Sequence, residues 1–271
     1  MLKNKIKECQ EASRSIKKLV FDVVHKTQSH HIGSILSCLD ILAALYFFAL
    51  NIDPNDPKKK GRDIFILSKG HAALAQYAAL AVRGFFPKEM LDNFGKDGTK
   101  IGTHPDKDCL PGIEISNGSL GHGLSIGAGS ALAAKKDNSP SRSFVLLSDG
   151  ECDEGTVWEA VMFAAHNKLD NLIAIVDKNG LQAFGTTAEV LNTDSLAKKF
   201  ESFGWLVKEV DGHDISDLIT VFDKLPAGKG KPVAIIANTI KGKGVISLEN
   251  KLESHYSSLN KEQYQQAMEQ L

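Results

Sequence analysis

The sequence predicts an α/β protein with a doubly wound, mostly parallel sheet and helices on both faces. Three observations predict this fold. Short runs rich in Ile and Val have the length of buried strands, amphipathic segments of helical length lie between most of them, and this alternation is typical of a parallel sheet. The 271 residues are 42% hydrophobic and 24% charged, an ordinary composition for a globular chain. We treat residues 1–271 as a single domain.

The elements follow in chain order. Apolar residues recur at helical spacing over residues 2–28, and a second helix is predicted over 37–50. The break between them places two adjacent histidines, His30 and His31, in a loop. The predicted strands are 64–67, 144–147, 172–176, 206–210 and 233–237. The later predicted helices are 72–82, 124–136, 157–168, 215–224 and 261–271. A long excursion, 238–260, precedes the last helix, and such loops are often functional.

Charge and cysteine usage exclude several classes of function. The 32 basic and 33 acidic residues give a net charge of −1 and are interspersed, so no basic face is offered to nucleic acid or to an anionic membrane. The longest apolar run, 41–50, is too short to span a bilayer, and we expect no export signal and a cytoplasmic location. The scattered cysteines predict reduced thiols rather than a disulfide framework: Cys9, Cys38, Cys109 and Cys152.

Polar side chains follow the second and third predicted strands. Asp149-Gly150 comes after strand 144–147 and before a helix, and Asn179-Gly180 follows strand 172–176. Ligands of doubly wound sheets bind beyond the carboxyl ends of strands, where a helix N-terminus offers free N–H groups to phosphate. If the two strands are neighbours, Asp149 and Asn179 supply oxygen ligands that suit Mg²⁺ and not zinc. Turn formation alone would also explain both dipeptides.

Several segments resemble the signatures of one enzyme family. Asp149 and Asn179 are thirty residues apart, which resembles the thiamine-diphosphate motif, normally Gly-Asp-Gly with Asn about thirty residues later; here Ser148 replaces the first Gly. Further segments resemble transketolase signatures and occur in transketolase order: Ser68-Lys-Gly-His71, Gly102-Thr-His104-Pro, Asn117-Gly118-Ser-Leu120-Gly121-His122-Gly123, Asp211-Gly-His213-Asp, and Thr239-Ile-Lys-Gly-Lys-Gly244 with His255 beyond it. The resemblance covers nearly the whole chain. It is that of the N-terminal half of a transketolase, in the split form whose halves are separate polypeptides.

The resemblance implies a thiamine-diphosphate-binding fold of the PP type and a set of cofactor contacts. Asp149, Asn179 and the backbone carbonyl of Leu181 would hold Mg²⁺, with Ca²⁺ or Mn²⁺ as substitutes. The diphosphate would contact His71 and Gly150. The thiamine would be approached by Gly118 and Leu120, and a glycine allows such close approach because it lacks a side chain.

The resemblance also assigns roles to histidines and to one glutamate. The side chains of His31, His104 and His255 would line the sugar channel and donate hydrogen bonds to substrate oxygens that become anionic. Glu154 begins a helix, where the dipole alone explains an acid, and the family has a Glu there that reaches toward the neighbouring subunit. The remaining histidines with a solvated interpretation are His25, His30, His166 and His213. Two positions depart from the family: His122 replaces a common Gln, and Tyr256 replaces the Gly after His255.

The implied function is transfer of a two-carbon ketol unit from a ketose to an aldose, with sugar phosphates as substrates. The pyrimidine-binding domain and its catalytic glutamate would come from a separate C-terminal subunit of roughly 300 residues. Two copies of each chain would form an α2β2 assembly, and the chain alone would form homodimers. Two alternatives stay open: the alpha subunit of a 2-oxoacid dehydrogenase, which shares the Asp and Asn motif, and a non-catalytic interaction module derived from such a subunit. The motifs ending at His71 and His104 favour the sugar transferase.

Overall fold

A computed structural model describes residues 2–226 and 229–271 of the chain. In these residues the strands form one parallel sheet of five, in the order β1-β2-β3-β5-β4. The strands are β1 (Ile64–Leu67), β2 (Ser143–Ser148), β3 (Leu172–Lys178), β4 (Leu206–Asp211) and β5 (Val233–Asn238). Every predicted strand is present, and β2 and β3 are neighbours as the site prediction requires. The register pairs Ser148 with Asp177, which sets the carboxyl ends of β2 and β3 side by side.

Six of the seven predicted helices lie close to their predicted positions. The helices of the described residues are α1 (Leu2–Thr27), α2 (Ile32–Leu36), α3 (Leu39–Ala44), α4 (Ala73–Arg83), α5 (Gly123–Lys136), α6 (Gly155–His166), α7 (Thr187–Val190), α8 (Leu196–Ser202), α9 (Ile215–Phe222) and α10 (Lys261–Glu269). The seventh, predicted over 37–50, is shorter: α3 ends in a π-helical turn, Leu45–Ala49, and α2 precedes it. Between α2 and α3, Ser37 turns its hydroxyl to Asp177 at 2.6 Å.

Two cores, one on each face of the sheet, confirm the doubly wound arrangement. Along β2, Phe144 and Leu146 join the core beneath α1, α3, α4 and α9, whereas Val145 and Leu147 join the core beneath α5, α6 and α8. This alternation follows from the two-residue period of a strand. Because both faces are covered, β1, β2, β3 and β5 are apolar except at their ends. The edge strand β4 differs, since the exposed Lys208 and Glu209 lie in its middle.

One stretch of the described residues, 32–49, is long and apolar enough to cross a membrane by length and composition alone, with a mean hydropathy of 2.0. This stretch comprises α2, α3 and the π-helical turn, and 83% of it is buried inside the fold. The core helix of a globular protein meets the same criteria. The stretch is therefore weak evidence for a membrane span, and its burial accounts for its hydropathy.

Candidate functional site

A cleft of about 540 Å³ opens at the carboxyl edge of the sheet. It brings together residues that the sequence places far apart. Nine of the predicted site residues line it: His71, Gly118, Leu120, Asp149, Gly150, Glu154, Asn179, Leu181 and His255. Parallel strands all end at this edge, so loops that are distant in sequence converge there.

Asp149 lies in the wall of the cleft, immediately after β2. It is 3% exposed, and its carboxylate accepts hydrogen bonds from the backbone N–H groups of Gly150 at 2.8 Å and Gly180 at 2.6 Å. Burial raises the pKa of Asp149 to about 6, and the nearby Asp177 carboxylate acts in the same direction. A cation beside Asp149 would stabilise its ionised form, because an opposite charge offsets the cost of burial.

Buried charged residues behind Asp149 were not predicted from the sequence. Lys69 and Asp177 are fully buried and form an ion pair, and Lys69 also donates to the carbonyl of Ser34 at 2.9 Å. Burial raises the pKa of Glu151, although its carboxylate accepts hydrogen bonds from the Ser68 hydroxyl and from the backbone N–H of Gly121. One feature of the sequence could have revealed these residues, because charged residues directly after apolar strands lie at the carboxyl edge of the sheet.

Lys241 is a second site residue that the sequence prediction missed. Its side chain is buried, and its ammonium group donates to the carbonyls of Leu181 at 3.1 Å and Gln182 at 3.2 Å and lies 2.9 Å from Nδ1 of His255. Burial and the charge of Lys69 lower the pKa of Lys241 to about 8. The group is therefore still largely protonated at neutral pH and places a positive charge beside the cleft.

The three histidines assigned to the sugar channel cluster with His71. The ring centroid of His31 lies 5.4 Å from that of His255, 5.6 Å from that of His71 and 6.2 Å from that of His104. Burial, followed by the charges of neighbouring histidines and Lys241, lowers the pKa of His31 to about 4. Burial and Lys241 lower the pKa of His255 to about 3. A neutral imidazole has one donor and one acceptor nitrogen, so these rings could bind hydroxyl groups in either direction.

The backbone around His31 is unusual. His31 precedes α2 with φ 70° and ψ 22°, a left-handed conformation that is uncommon outside glycine and that clusters at functional sites. Next to it, a Cβ on Gly33 would lie 2.2 Å from the hydroxyl oxygen of Ser254. The missing side chain at Gly33 lets α2 pack directly against the turn that carries His255.

Two glycines of the cleft differ in how closely the rest of the chain packs against them. A Cβ on Gly150 would lie 2.7 Å from Cγ of Gln182, so packing within this chain already excludes a side chain there. A Cβ on Gly118 would make ordinary contact with the His104 ring at 3.5 Å. Packing within this chain therefore does not require glycine at 118.

The positions that depart from the family are accommodated without strain. Tyr256 has φ −113°, which any residue adopts, so the loop does not need the family's glycine. The Tyr256 ring lines the cleft and packs edge-on against His255 with a centroid distance of 4.7 Å. His122 is exposed, with Nδ1 3.0 Å from the carbonyl of Leu120. The hydroxyl of Ser148 accepts a hydrogen bond from the backbone N–H of Glu151 at 3.3 Å.

Three of the four histidines assigned to solvent have partners in the structure. His25 stacks on Tyr264 with a centroid distance of 4.4 Å, and Nδ1 of His30 lies 2.8 Å from the carbonyl of Tyr256. His213 is hydrogen bonded on both ring nitrogens. The solvated interpretation of His213 was wrong, because its partners come from α3 and from the segment after β5, which the local sequence does not reveal.

The predicted metal ligands suit a hard cation whose coordination is completed by the phosphate oxygens of a bound molecule. Within residues 2–226 and 229–271 there is no group of three or more His, Cys, Asp or Glu side chains that could hold a metal. The predicted set instead has one carboxylate, one amide and one carbonyl. The amide oxygen of Asn179 accepts one hydrogen bond, from the N–H of Leu181 at 3.1 Å, and a second lone pair remains for a cation. Mg²⁺ is commonly bound by one or two carboxylates together with ligand phosphates.

The fold and the cleft are those of a thiamine-diphosphate-binding protein. Residues 8–271 match the family described as "Transketolase, thiamine diphosphate binding domain". The chain belongs to the transketolase family through this domain.

Relatives with assigned names support the same conclusion. The chain is 41% identical to one subunit of the apulose-4-phosphate transketolase of Phocaeicola vulgatus, over 96% of this chain and 92% of that protein. It is also 41% identical to a 6-deoxy-6-sulfo-D-fructose transketolase subunit of a Clostridium species, over 97% of this chain and 96% of that protein.

Solved transketolases share the fold over a part of their length. The transketolase of Campylobacter jejuni superposes with a TM-score of 0.91 at 32% identity, covering 97% of this chain and 42% of that one. The transketolase of Leishmania mexicana gives a TM-score of 0.90 at 29% identity, covering 96% of this chain and 40% of that one. The chain thus spans about two fifths of these enzymes, whereas it matches the subunit relatives over nearly their whole length.

Proposed function

We propose that this chain is the N-terminal subunit of a two-chain transketolase that transfers a two-carbon ketol unit between sugars with thiamine diphosphate and Mg²⁺. The observation that carries this proposal is the cleft at the carboxyl edge, where nine residues chosen from sequence motifs meet. The length match to proteins named as transketolase subunits supports the two-chain form. We place the enzyme in the cytoplasm on the basis of its composition.

The cofactor would be held by groups along one side of the cleft. Asp149, Asn179 and the carbonyl of Leu181 hold the metal, for which Ca²⁺ or Mn²⁺ substitutes. Lys241 already occupies one lone pair of the Leu181 carbonyl, and a carbonyl oxygen has two. The diphosphate is contacted by His71 and Gly150, and the thiamine is approached by Gly118 and Leu120. When bound, the cofactor supplies the carbanion chemistry, and the protein binds, orients and polarises.

His31, His104 and His255 would act on the sugar. Their rings are held near one another and, since their pKa values are lowered, they are neutral at physiological pH. Neutral imidazole rings donate hydrogen bonds to substrate hydroxyls and to oxygens that develop negative charge.

The second subunit would complete the site. The described residues that line the cleft include no arginine, and both buried lysines already have partners in this chain. The anionic group of a sugar phosphate therefore requires residues from elsewhere, which we assign to a C-terminal subunit. Glu154 lines the cleft and is exposed, which supports its assignment as a contact to that subunit. We propose an α2β2 assembly, with homodimers of this chain in the absence of its partner.

The test combines the purified chain with a candidate C-terminal subunit. Calorimetry measures binding of thiamine diphosphate with Mg²⁺, and a coupled assay measures ketol transfer from a ketose phosphate to an aldose phosphate. We expect transfer by the complex and none by the chain alone. As a control, Asp92→Ala, which removes a half-exposed carboxylate that does not line the cleft, should leave both measurements unchanged. Robust transfer without the second subunit would refute the division of labour, and a complex that binds no cofactor would favour the non-catalytic interaction module.

A further inference from the structure

A buried carboxylate lies between α1, α3 and the turn after β4 and does not line the cleft. Asp40 in α3 is 4% exposed. Its oxygens accept hydrogen bonds from the Ser13 hydroxyl at 2.5 Å and from the Lys17 ammonium at 2.7 Å, both on α1, and contact Nδ1 of His213 at 3.0 Å. Asp40 thus connects three elements of the fold that the sequence separates by up to 173 residues.

The partners of His213 determine which of its nitrogens carries the proton. Nε2 lies 2.9 Å from the backbone nitrogen of Ile240, and a backbone N–H can only donate. Nε2 must therefore accept and carries no proton. The ring proton then resides on Nδ1 and is donated to Asp40, so that the carboxylate selects the tautomer that the backbone contact needs.

Ile240 belongs to a short segment, 239–241, that leads from β5 into the cleft. Thr239 donates its hydroxyl proton to the buried Asp177, Ile240 donates its N–H to His213, and Lys241 reaches Leu181, Gln182 and His255. The turn that carries His213 approaches this segment closely: a Cβ on Gly212 would lie 2.4 Å from Cγ2 of Thr239. Each residue of the segment is therefore anchored to a different part of the fold.

We propose that His213 is a positioning residue for the cofactor site: with Asp40 holding its tautomer, it clamps the Ile240 amide and so places the Lys241 ammonium at the diphosphate end of the cleft. This inference rests on the proposed function for the identity of the ligand. The clamp itself rests on the hydrogen bonds alone. His213 touches neither the cleft nor any group assigned to the substrate, so it acts through Lys241 rather than on the reaction directly.

The first test examines the clamp in the full chain without ligand. Nitrogen-15 NMR should find the Nε2 of His213 unprotonated and Nδ1 protonated. The Ile240 amide should be protected from hydrogen exchange in the wild type and in His213→Gln, whose amide oxygen can still accept, and should lose protection in His213→Leu. The exposed His166, at the end of α6, provides the matched control His166→Leu. A proton on Nε2, or equal protection of Ile240 in all variants, would overturn the clamp.

The second test asks whether the clamp acts through Lys241. In the complex with the C-terminal subunit, His213→Leu should weaken affinity for thiamine diphosphate with Mg²⁺ by roughly 10- to 100-fold, the usual effect of losing an outer partner of a binding group, and His213→Gln should restore most of it. In a Lys241→Met background, His213→Leu should cause little further loss of cofactor affinity, because the effects of substitutions at two residues that act as one unit are not additive. Additive losses would indicate a purely structural role and overturn the proposal.

The two tests separate failure of this inference from failure of the proposed function. A wild-type complex that binds no cofactor would refute the proposed function and, with it, the link between His213 and that ligand. The tautomer and the Ile240 exchange rate would in that case still decide whether His213 holds the segment.

Discussion

The two edges of the parallel sheet both bury charge, but the cavities that this charge lines differ in size. Asp149 and Lys69 at the carboxyl edge line a cleft of about 540 Å³, whereas Asp63 at the amino edge lines a cavity of about 10 Å³. At the amino edge, Asp63 precedes β1 and Arg142 precedes β2, and the two form an ion pair with a 2.6 Å contact. Asp63 also accepts the backbone N–H groups of Asn51 at 2.8 Å and of Arg142 at 2.9 Å, and Arg142 donates to the carbonyl of Ala49 at 2.6 Å. The charges at this edge are matched by protein groups.

At the carboxyl edge the charges face a cavity. Lys69 neutralises Asp177, but Asp149 lines the cleft with backbone N–H groups as its hydrogen-bond partners, and burial raises its pKa. Lys241 is held by carbonyls and an imidazole rather than by a carboxylate. The amino edge therefore balances its charges within the chain, whereas the carboxyl edge leaves charged groups lining a cleft.

The largest expected effect that tests this comparison is at Asp149. In Asp149→Asn, binding of thiamine diphosphate with Mg²⁺ to the complex should fall below detection by calorimetry, because the charged metal ligand is lost. The unfolding free energy of the chain should change by no more than about 1.5 kcal/mol, the worth of one neutral hydrogen bond. Retained metal-dependent affinity would mean that the Asp149 carboxylate does not hold the metal. The charges of the carboxyl edge would then, like those of the amino edge, serve the fold alone.

The opposite pattern is expected at the amino edge. Asp63→Ala leaves the partly buried guanidinium of Arg142 unpaired, and urea denaturation should find a loss of about 3–5 kcal/mol in the unfolding free energy. Replacing both residues, as Asp63→Asn with Arg142→Met, should recover part of this loss, because the asparagine oxygen can still accept a backbone N–H. Cofactor affinity of the folded complex should remain that of the wild type, and a selective loss of affinity would contradict the separation of the two edges.

Smaller effects, confined to turnover, are expected from the histidine cluster. His104→Ala and His31→Ala should lower the rate of ketol transfer by roughly 10²–10³, the usual loss on removing an oriented donor to a developing charge. Cofactor affinity should change little, since these rings are assigned to the sugar. Calorimetry measures cofactor affinity and steady-state kinetics measures turnover on the same preparations. A loss of cofactor affinity as large as the loss of turnover would contradict the assignment of these residues to the sugar channel.

A further expected effect concerns stability as a function of pH. The pKa of His31 is lowered from 6.5 to about 4 in the folded chain. Between these values the unfolded state binds more protons than the folded state, so this residue makes the unfolding free energy rise with pH from about 4 to 6.5 and level off above. Urea titrations of the wild type and His31→Asn at each pH give the difference, which cancels the opposing contribution of Asp149. A difference that does not vary across this window would contradict the buried, neutral state of His31.

Much of the fold and of the site could be predicted because the signals are local. Four of the five predicted strands are uninterrupted apolar runs, and burial on both faces of the sheet produces such runs. The fifth, 206–210, is interrupted by Lys208 and Glu209 and forms an edge strand. The motif residues also follow strands directly, so topology alone delivers Asp149 and Asn179 to one edge. Helix α8 was missed because its seven residues are too few for a clear period.

The contacts that complete the site could not be predicted, because their partners are far apart in the sequence. Lys69 and Asp177 are separated by 108 residues, and Lys241 and Leu181 by 60. Lys69, Lys241 and His213 all lie in segments that resemble family signatures, but the sequence does not show which groups their side chains contact. What distinguishes them is burial beside a specific acceptor, which depends on how the helices pack on the sheet.

The succession of strands and helices along the chain, the edge at which polar residues gather, and the family of the motifs could all be predicted from neighbouring residues and periodicity. How the charges are matched depends instead on the tertiary packing. It buries Asp149 beside Asp177 and raises the pKa of Asp149, keeps the clustered histidines neutral, and sets His213 against the Ile240 amide. Charge state and tautomer respond to desolvation and to partners within a few ångströms, and the packing of distant segments creates both.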